Sequence, residues 1–324
     1  MEYFLPIFNQ MLVLFALIVI GFVLSRGKFL PDSATAVLSK LENIVLVPAL
    51  VLGTFIENCT VSTLSQVWPL LVMSIVMAVI FAVISWVCTK CYYKEGYAQK
   101  VAAYCMTFSN FGFMGNAIFS SLFADIFFEY VLFTLPLWAM AYGWGVPTLL
   151  IPAEHKEKPT LYSRVKPFIN PMLVCMLIGM VIGLTGLGAY MPNPIMQVID
   201  SSAACMSPIA MILTGITLGQ LDLLALIKRW TLYVGSIIKV LVYPLIMLGI
   251  IALLNLLPTS LFINDVFFKC SLCVATMPTG LTSVFVPAAY GKDSSEAAGL
   301  ALVSHVFSLG SIPLFFMLLQ LIIA

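Results

Sequence analysis

The chain has 324 residues, 62% of them hydrophobic and 9% charged, with a mean hydropathy of +1.09. Soluble domains carry roughly 45–50% apolar and about 25% charged residues, so an ordinary soluble protein is excluded. The formal net charge is +1 and the basic residues are scattered, which leaves no electrostatic footprint for nucleic acid.

Apolar runs separated by polar punctuation predict ten helices, over 6–24, 34–56, 67–89, 100–122, 127–151, 168–187, 194–219, 230–254, 265–290 and 295–322. A membrane span needs ~20 apolar residues, so ten spans leave short loops and no soluble domain. The fold class predicted is an all-α polytopic membrane protein. The first run, after Met1-Glu2-Tyr3, lacks a basic n-region and a small-residue cleavage site and reads as a retained span. The eight cysteines lie mostly inside apolar runs, which argues against a secreted disulfide framework. Cys88/Cys91 and Cys270/Cys273 are spaced at one helical turn and read as small packing residues rather than halves of a zinc site.

The most polar segment, with Glu154, His155, Lys156, Glu157, Lys158, Arg164 and Lys166, separates the first five helices from the last five. Residues 1–151 are read as one five-helix repeat, 152–167 as a cytoplasmic linker and 168–324 as a second repeat. Thirteen of the 15 Lys and Arg residues fall in odd loops or their flanks, so these loops are assigned to the cytoplasm and both termini to the outside of a plasma membrane. An odd number of spans per half makes the halves cross in opposite senses, the inverted-repeat plan of many secondary transporters. Asn110, Gly112 and Asp125 match Pro278, Gly280 and Asp293 without gaps, and Pro48 matches Pro208.

Helices four and nine carry the two most helix-breaking stretches at membrane depth. One is Ser109-Asn110-Phe111-Gly112-Phe113-Met114-Gly115-Asn116-Ala117, the other Met277-Pro278-Thr279-Gly280-Leu281-Thr282-Ser283. Proline removes a backbone donor, glycine costs about 1 kcal/mol in a helix relative to alanine, and unwound backbone survives in a bilayer only where protein or a water-filled cavity satisfies it. Glycines alone would read as close-packing residues. Pro, Gly and polar side chains together at corresponding places point instead to a substrate site at two broken helices, whose exposed amide ends suit an anion. The substrate-binding candidates are Asn110, Gly112, Gly115, Asn116, Pro278, Thr279, Gly280, Thr282 and Ser283.

Other polar residues fall inside the predicted spans. Lys239 lies ~15 Å into helix eight, where a charge costs at least ~2.5–3.5 kcal/mol; it is assigned beside the broken helices as fixed positive charge or anion partner. Asp200 and Glu42 are candidate counter-ions or proton carriers, although an interfacial carboxylate near a helix end is the preferred reading of each. His305 is a candidate for proton coupling, with a hydrogen-bonded structural role equally open. Lys269, four residues after Asp265, reads as an i,i+4 ion pair.

These motifs resemble the auxin efflux carrier family, permeases related in fold to bile acid/sodium symporters. The resemblance rests on Asn110-Phe111-Gly112-Phe113-Met114-Gly115, Pro48-Ala49-Leu50, Asn170-Pro171, Lys239 with Pro244, Met277-Pro278-Thr279, Tyr290-Gly291-Lys292-Asp293 and Ser304-His305 through Pro313. It implies a ten-helix 5+5 inverted repeat in which helices four and nine cross at broken centres. Helices one, two, six and seven would form a scaffold, and three to five with eight to ten a mobile transport unit. It also implies a small organic anion as substrate, either auxin-like or a dicarboxylate such as malate or malonate, moved by alternating access. One departure is Asn116-Ala117, where the family usually has Ile-Pro. Without that proline the break is expected at Gly112 and Gly115, with Asn116 a further donor to substrate.

A sodium- or proton-coupled ion exchanger of the same fold is the alternative, but it calls for an acidic pair where this chain has asparagines and hydroxyls. HExxH, GxSxG and P-loop motifs are absent, so neither an intramembrane enzyme nor direct ATP drive is expected. No cofactor or metal is expected, and the coupling ion is open. The partners expected are the substrate anion and the lipid bilayer, with a homodimer as a further candidate.

Overall fold

The computed structural model describes residues 4–31, 33–152, 171–222, 228–256 and 265–323. Most of the predicted linker, Asn170 of the resemblance and the basic residues between 153 and 170 lie outside them. Among the described residues the chain is nearly all helical, and no strand forms beyond one isolated bridge. In chain order the α-helices are α1 (Phe4–Arg26), α2 (Ala34–Leu41), α3 (Val47–Asn58), α4 (Val61–Tyr92), α5 (Tyr97–Thr107), α6 (Asn116–Leu122) and α7 (Phe127–Met140). There follow α8 (Pro171–Thr185), α9 (Asn193–Gly219), α10 (Trp230–Ile237), α11 (Tyr243–Leu256), α12 (Asp265–Thr276), α13 (Thr282–Ala289) and α14 (Ser295–Ile323).

Among the described residues, seven stretches are long and apolar enough to cross a membrane: Phe8–Arg26, Ala34–Asn58, Val61–Tyr92, Ala124–Leu150, Asn193–Gly219, Trp230–Asn255 and Ser295–Ile323. Four stretches wind as π-helix: Glu42–Leu46, Phe111–Gly115, Ala141–Leu150 and Ile238–Val242. Three of them contain or closely precede a proline, namely Pro48, Pro147 and Pro244. A proline cannot donate to the turn before it, and a π turn reroutes the carbonyls left over. The fourth, Phe111–Gly115, has two glycines and no proline.

Helix ends follow local chemistry. Thr60 opens α4 with a reciprocal cap: its hydroxyl accepts from the Thr63 N–H at 3.2 Å, and the Thr63 hydroxyl accepts from the Thr60 N–H at 2.8 Å. Ahead of α14, the Asp293 carboxylate accepts from the Ser295 N–H at 2.9 Å, and that hydrogen bonding holds its pKa below the ordinary aspartate value. Just inside α14, Glu296 pairs with Arg229 at 3.0 Å and accepts from the Tyr93 hydroxyl, fastening the starts of α14 and α10 to the end of α4.

Two groups of helices pack within themselves most extensively. α1 lies along α9, and α3 lies against both α8 and α9. A Cβ on Gly21 would stand 2.1 Å from the Ile212 carbonyl oxygen, and one on Gly215 would stand 1.9 Å from that of Ile18. These two glycines therefore set how closely α1 and α9 approach, as small residues do where lipid supplies no hydrophobic drive for helices to associate. In the other group, α4 packs on α5 and α7, and α14 packs on α5, α10 and α12, while α14 also lies against α1 of the first group. Between these long helices, every residue from Val101 to Phe119 and from Cys270 to Leu281 is buried.

Candidate functional site

The two buried stretches meet at one point. α5 ends at Thr107, the chain is extended through Phe108, and helical winding resumes at Phe111; α12 ends at Thr276, and α13 begins at Thr282. Ser109 and Thr279 face each other in an antiparallel bridge. The Asn110 N–H donates to the Pro278 carbonyl at 2.7 Å, and the Gly280 N–H donates to the Phe108 carbonyl at 3.3 Å. Two helices broken at membrane depth thus satisfy each other's backbone, which is what an apolar surrounding demands. A Cβ on Gly280 would stand 3.0 Å from the Ser109 carbonyl oxygen, so glycine keeps the two main chains in contact.

Side chains complete this crossover. The Ser109 hydroxyl donates to the Val274 carbonyl at 2.8 Å, the Thr279 hydroxyl donates to that of Cys105 at 3.4 Å, and the Thr279 N–H donates to the Ser304 hydroxyl at 3.1 Å. Tyr130 donates to the Phe111 carbonyl at 2.9 Å. Lys239 is 1% exposed and its ammonium donates to the Met106 carbonyl at 3.0 Å, 5.2 Å from the Tyr243 ring centroid. Met106 lies in the last turn of α5, where free carbonyls and the helix dipole favour a cation. His305 on α14 is also buried; its Nδ1 is 2.7 Å from the Ala301 carbonyl and its Nε2 is 3.3 Å from Asn110 Nδ2.

A cleft of about 20 Å³ opens on one side of the crossover. Its polar lining comes from Ser109, Asn110 and Thr282, and its walls are the rings of Tyr104, Phe108, Phe111, Phe113, Trp138 and Tyr142. A space of this size holds about one water. A larger pocket of about 230 Å³, bordered by Lys28 and Gln220 at the ends of α1 and α9, has no member of the crossover in its lining.

Of the residues singled out in the sequence, Asn110, Gly112, Gly280 and Thr282 line the cleft. Pro278, Thr279 and Ser283 are in the crossover but are spent on its internal bonds, Ser283 donating to the Gly280 carbonyl at 2.6 Å. Two expectations are corrected. The first break is at Phe108–Asn110, upstream of Gly112 and Gly115, whose missing Cβ atoms make room for Trp138 and for the Tyr130 hydroxyl. Asn116 is buried one turn past the break and is not in the cleft lining.

The charged candidates separate in the same way. Lys239 stands beside the crossover, where it caps a helix end and is not part of the cleft lining. Asp200 is exposed, as an interfacial carboxylate would be. Glu42 is not: it is 0% exposed at the start of a π turn, and neither carboxyl oxygen has a hydrogen-bond partner among the described residues. Lys269 does not pair with Asp265; its ammonium lies 5.5 Å from the Phe123 ring centroid. Sequence reasoning missed Ser109, Tyr130 and Ser304 as parts of the site, although hydroxyls within apolar runs were the available signal.

Among the described residues, seven membrane-length helices and two buried broken ones that meet at one point define a multi-pass membrane protein. The family described as membrane transport protein matches residues 6–161 and 154–316. The chain belongs to this family, that of the auxin efflux carriers, and is a membrane transporter. No curated protein matches it.

Proposed function

We propose that the chain carries a small organic anion across the membrane by alternating access, with the anion held at the crossover. The observation that carries this reading is the cleft itself. The first residues past both breaks, Phe111 to Phe113 and Thr282, border it together with Asn110. Helix starts present N–H groups and partial positive charge, which favour a carboxylate, and aromatic walls favour an apolar body attached to it. A monocarboxylate with a flat apolar body fits this lining better than a dicarboxylate.

With about 20 Å³ of space, the described conformation is closed around the crossover, and entry of an anion requires the two helix groups to part. The scaffold is α1, α3, α8 and α9, locked by Gly21 and Gly215; the moving unit carries α4 to α7 and α10 to α14. Counting α8 and the two broken helices with the seven spans gives ten crossings in a 5+5 inverted arrangement. In this arrangement the Lys- and Arg-bearing odd loops face the cytoplasm of a plasma membrane and both termini face outward.

Thermal stabilisation of the purified protein by indole-3-acetate, benzoate, malate and malonate, with sodium and pH varied, tests the reading, because a ligand that binds the native state raises its apparent stability. Stabilisation by an aromatic monocarboxylate, lost in Asn110→Ala, is the expected result. Stabilisation by sodium alone, with none by any anion, overturns it in favour of ion exchange.

A further inference from the structure

Asn110 stands between two things: the cleft, which it lines, and the His305 ring, whose Nε2 lies 3.3 Å from its Nδ2. The state of that ring follows from its other side. Nδ1 is 2.7 Å from the Ala301 carbonyl oxygen, which can only accept, so Nδ1 carries a proton. In a neutral ring Nε2 is then an acceptor, and Asn110 must offer it the NH2 end of its amide. The amide orientation is therefore set by the protonation state of the histidine.

A second proton on the ring reverses the arrangement. Nε2 becomes a donor, the ring keeps its bond to Ala301, and Asn110 must turn its oxygen toward the histidine. The terminal torsion of asparagine is broad and permits this half-turn without backbone movement. The NH2 group released from the ring is then free to donate to a carboxylate in the cleft, and a positive charge lies directly behind it. Each partner favours the other: an anion and an imidazolium in a buried site offset each other's desolvation, whereas either alone is disfavoured.

We propose that His305 is the proton acceptor of this transporter and that Asn110 couples it to the anion, so that one proton moves with each substrate. The inference rests on the anion reading of the cleft. The proton is taken from the side to which the site is open and forms an N–H bond at Nε2. It is released from the same atom on the far side as the anion leaves, and the neutral ring is restored with no redox change. His305 acts through Asn110 and is a positioning residue.

Other ionisable groups on the elements around α14 are committed elsewhere. Lys239 is bound to the Met106 carbonyl, Lys269 stands over Phe123, Arg26 on α1 donates to the Leu221 carbonyl, and Glu296 is paired with Arg229 and Tyr93. Lys100 on α5 and Asp265 on α12 are exposed. Tyr97, which donates to the Leu150 carbonyl, and Tyr104, Cys105, Tyr233, Tyr243, Cys270 and Cys273 complete the set on the packed elements. Among the described residues, no ion pair or hydrogen bond from any of these groups to the ring is seen.

The chain has two histidines, so His155→Gln leaves His305 as the single imidazole and allows its ring nitrogens to be followed by 15N NMR in histidine-labelled protein. Indole-3-acetate is the probe, since it is fully ionised between pH 6 and 8.5. Without it the ring is expected as the neutral Nδ1–H tautomer, and on binding as the doubly protonated form. The affinity should rise about tenfold for each unit fall in pH across that transition, as linkage to a single proton requires. In His305→Gln the affinity should be flat with pH. A ring that stays neutral in the saturated complex down to pH 6, or a wild-type affinity as flat as that of His305→Gln, overturns the coupling and leaves the anion site standing. Failure of the wild type to bind the probe at any pH removes the anion reading and the coupling with it.

Discussion

The two breaks that meet at the crossover have the same backbone shape and different chemistry. The second contains Pro278, which cannot donate to the turn before it and so weakens α12 at that point from within its own sequence. The first, Phe108–Asn110, contains no residue that forbids a helix. It is held open by partners: Pro278 takes the Asn110 N–H, Lys239 takes the Met106 carbonyl, and Tyr130 takes the Phe111 carbonyl. One break is therefore written into its own sequence, and the other is imposed by tertiary contacts. The same asymmetry appears in the helix ends that lead into them. α5 ends on a buried ammonium at Met106, whereas the last turn of α12 is met by the neutral hydroxyl of Ser109 at Val274.

The contact between the breaks should be the most fragile element. In Gly280→Val, a branched side chain enters where even a Cβ is 3.0 Å from the Ser109 carbonyl, and both cross-bonds are lost together. Two unsatisfied buried backbone pairs cost about 1–3 kcal/mol for each group left unpaired. The expected outcome is a melting temperature lower by ten degrees or so and loss of measurable flux in proteoliposomes. Normal flux in Gly280→Val would show that the bridge is dispensable.

Lys239→Met comes next and separates the two breaks directly. The substitution keeps the buried stem and removes the cation, leaving the Met106 carbonyl without its donor while the second break keeps all its partners. Replacing a buried charge with an apolar isostere is often neutral for stability, so the melting temperature should move little while flux falls by about tenfold, equivalent to ~1.4 kcal/mol. Equal wild-type and variant flux would reduce Lys239 to a packing residue.

What was legible beforehand follows the same division. The second break could be read from Pro278 and Gly280 because its cause is local. The first was located within the stretch Ser109–Ala117 but placed on Gly112 and Gly115, since the partners that hold it open, Pro278, Lys239 and Tyr130, lie elsewhere in the chain. Gly112 and Gly115 instead accommodate Trp138 and Tyr130 from the neighbouring helix, a demand that a single sequence cannot distinguish from a break. The apolar runs fixed the long helices well, because in a bilayer every span needs length and hydropathy whatever it packs against. Glu42 was misjudged for a related reason. Its distance from the helix end suggested an interface, and only the packing of α8 and α9 around its π turn buries it.

Pro278→Ala tests whether a locally written break is still needed once the tertiary contacts exist. The alanine regains an N–H, and its natural acceptor one turn back, the Val274 carbonyl, already receives the Ser109 hydroxyl at 2.8 Å. A carbonyl has two lone pairs, so α12 can lengthen by a residue without expelling Ser109. The Asn110 and Gly280 bonds then hold the remaining turn open, and flux should fall only about threefold, or ~0.6 kcal/mol. Complete loss of flux in a folded variant would show that the proline and not its partners defines the second break.

Ala117→Pro is the converse and should have the smallest effect on flux. It installs in the first half the proline that the family usually carries there, at the second residue of α6. Directly before it, the π turn Phe111–Gly115 has shifted the bonding pattern, with the Gly115 N–H donating to the Asn110 carbonyl at 2.9 Å. A proline near a helix start, after a turn that has already rerouted its carbonyls, removes at most one backbone bond. Ala117 is 1% exposed, so the added ring atoms must be absorbed by a packed core at about 1 kcal/mol. The expected result is a melting temperature a few degrees lower and flux within about twofold of wild type. If flux collapses while the protein remains folded, the position of the first break depends on a flexible backbone at 117, and the partners on the neighbouring helices are not sufficient to set it.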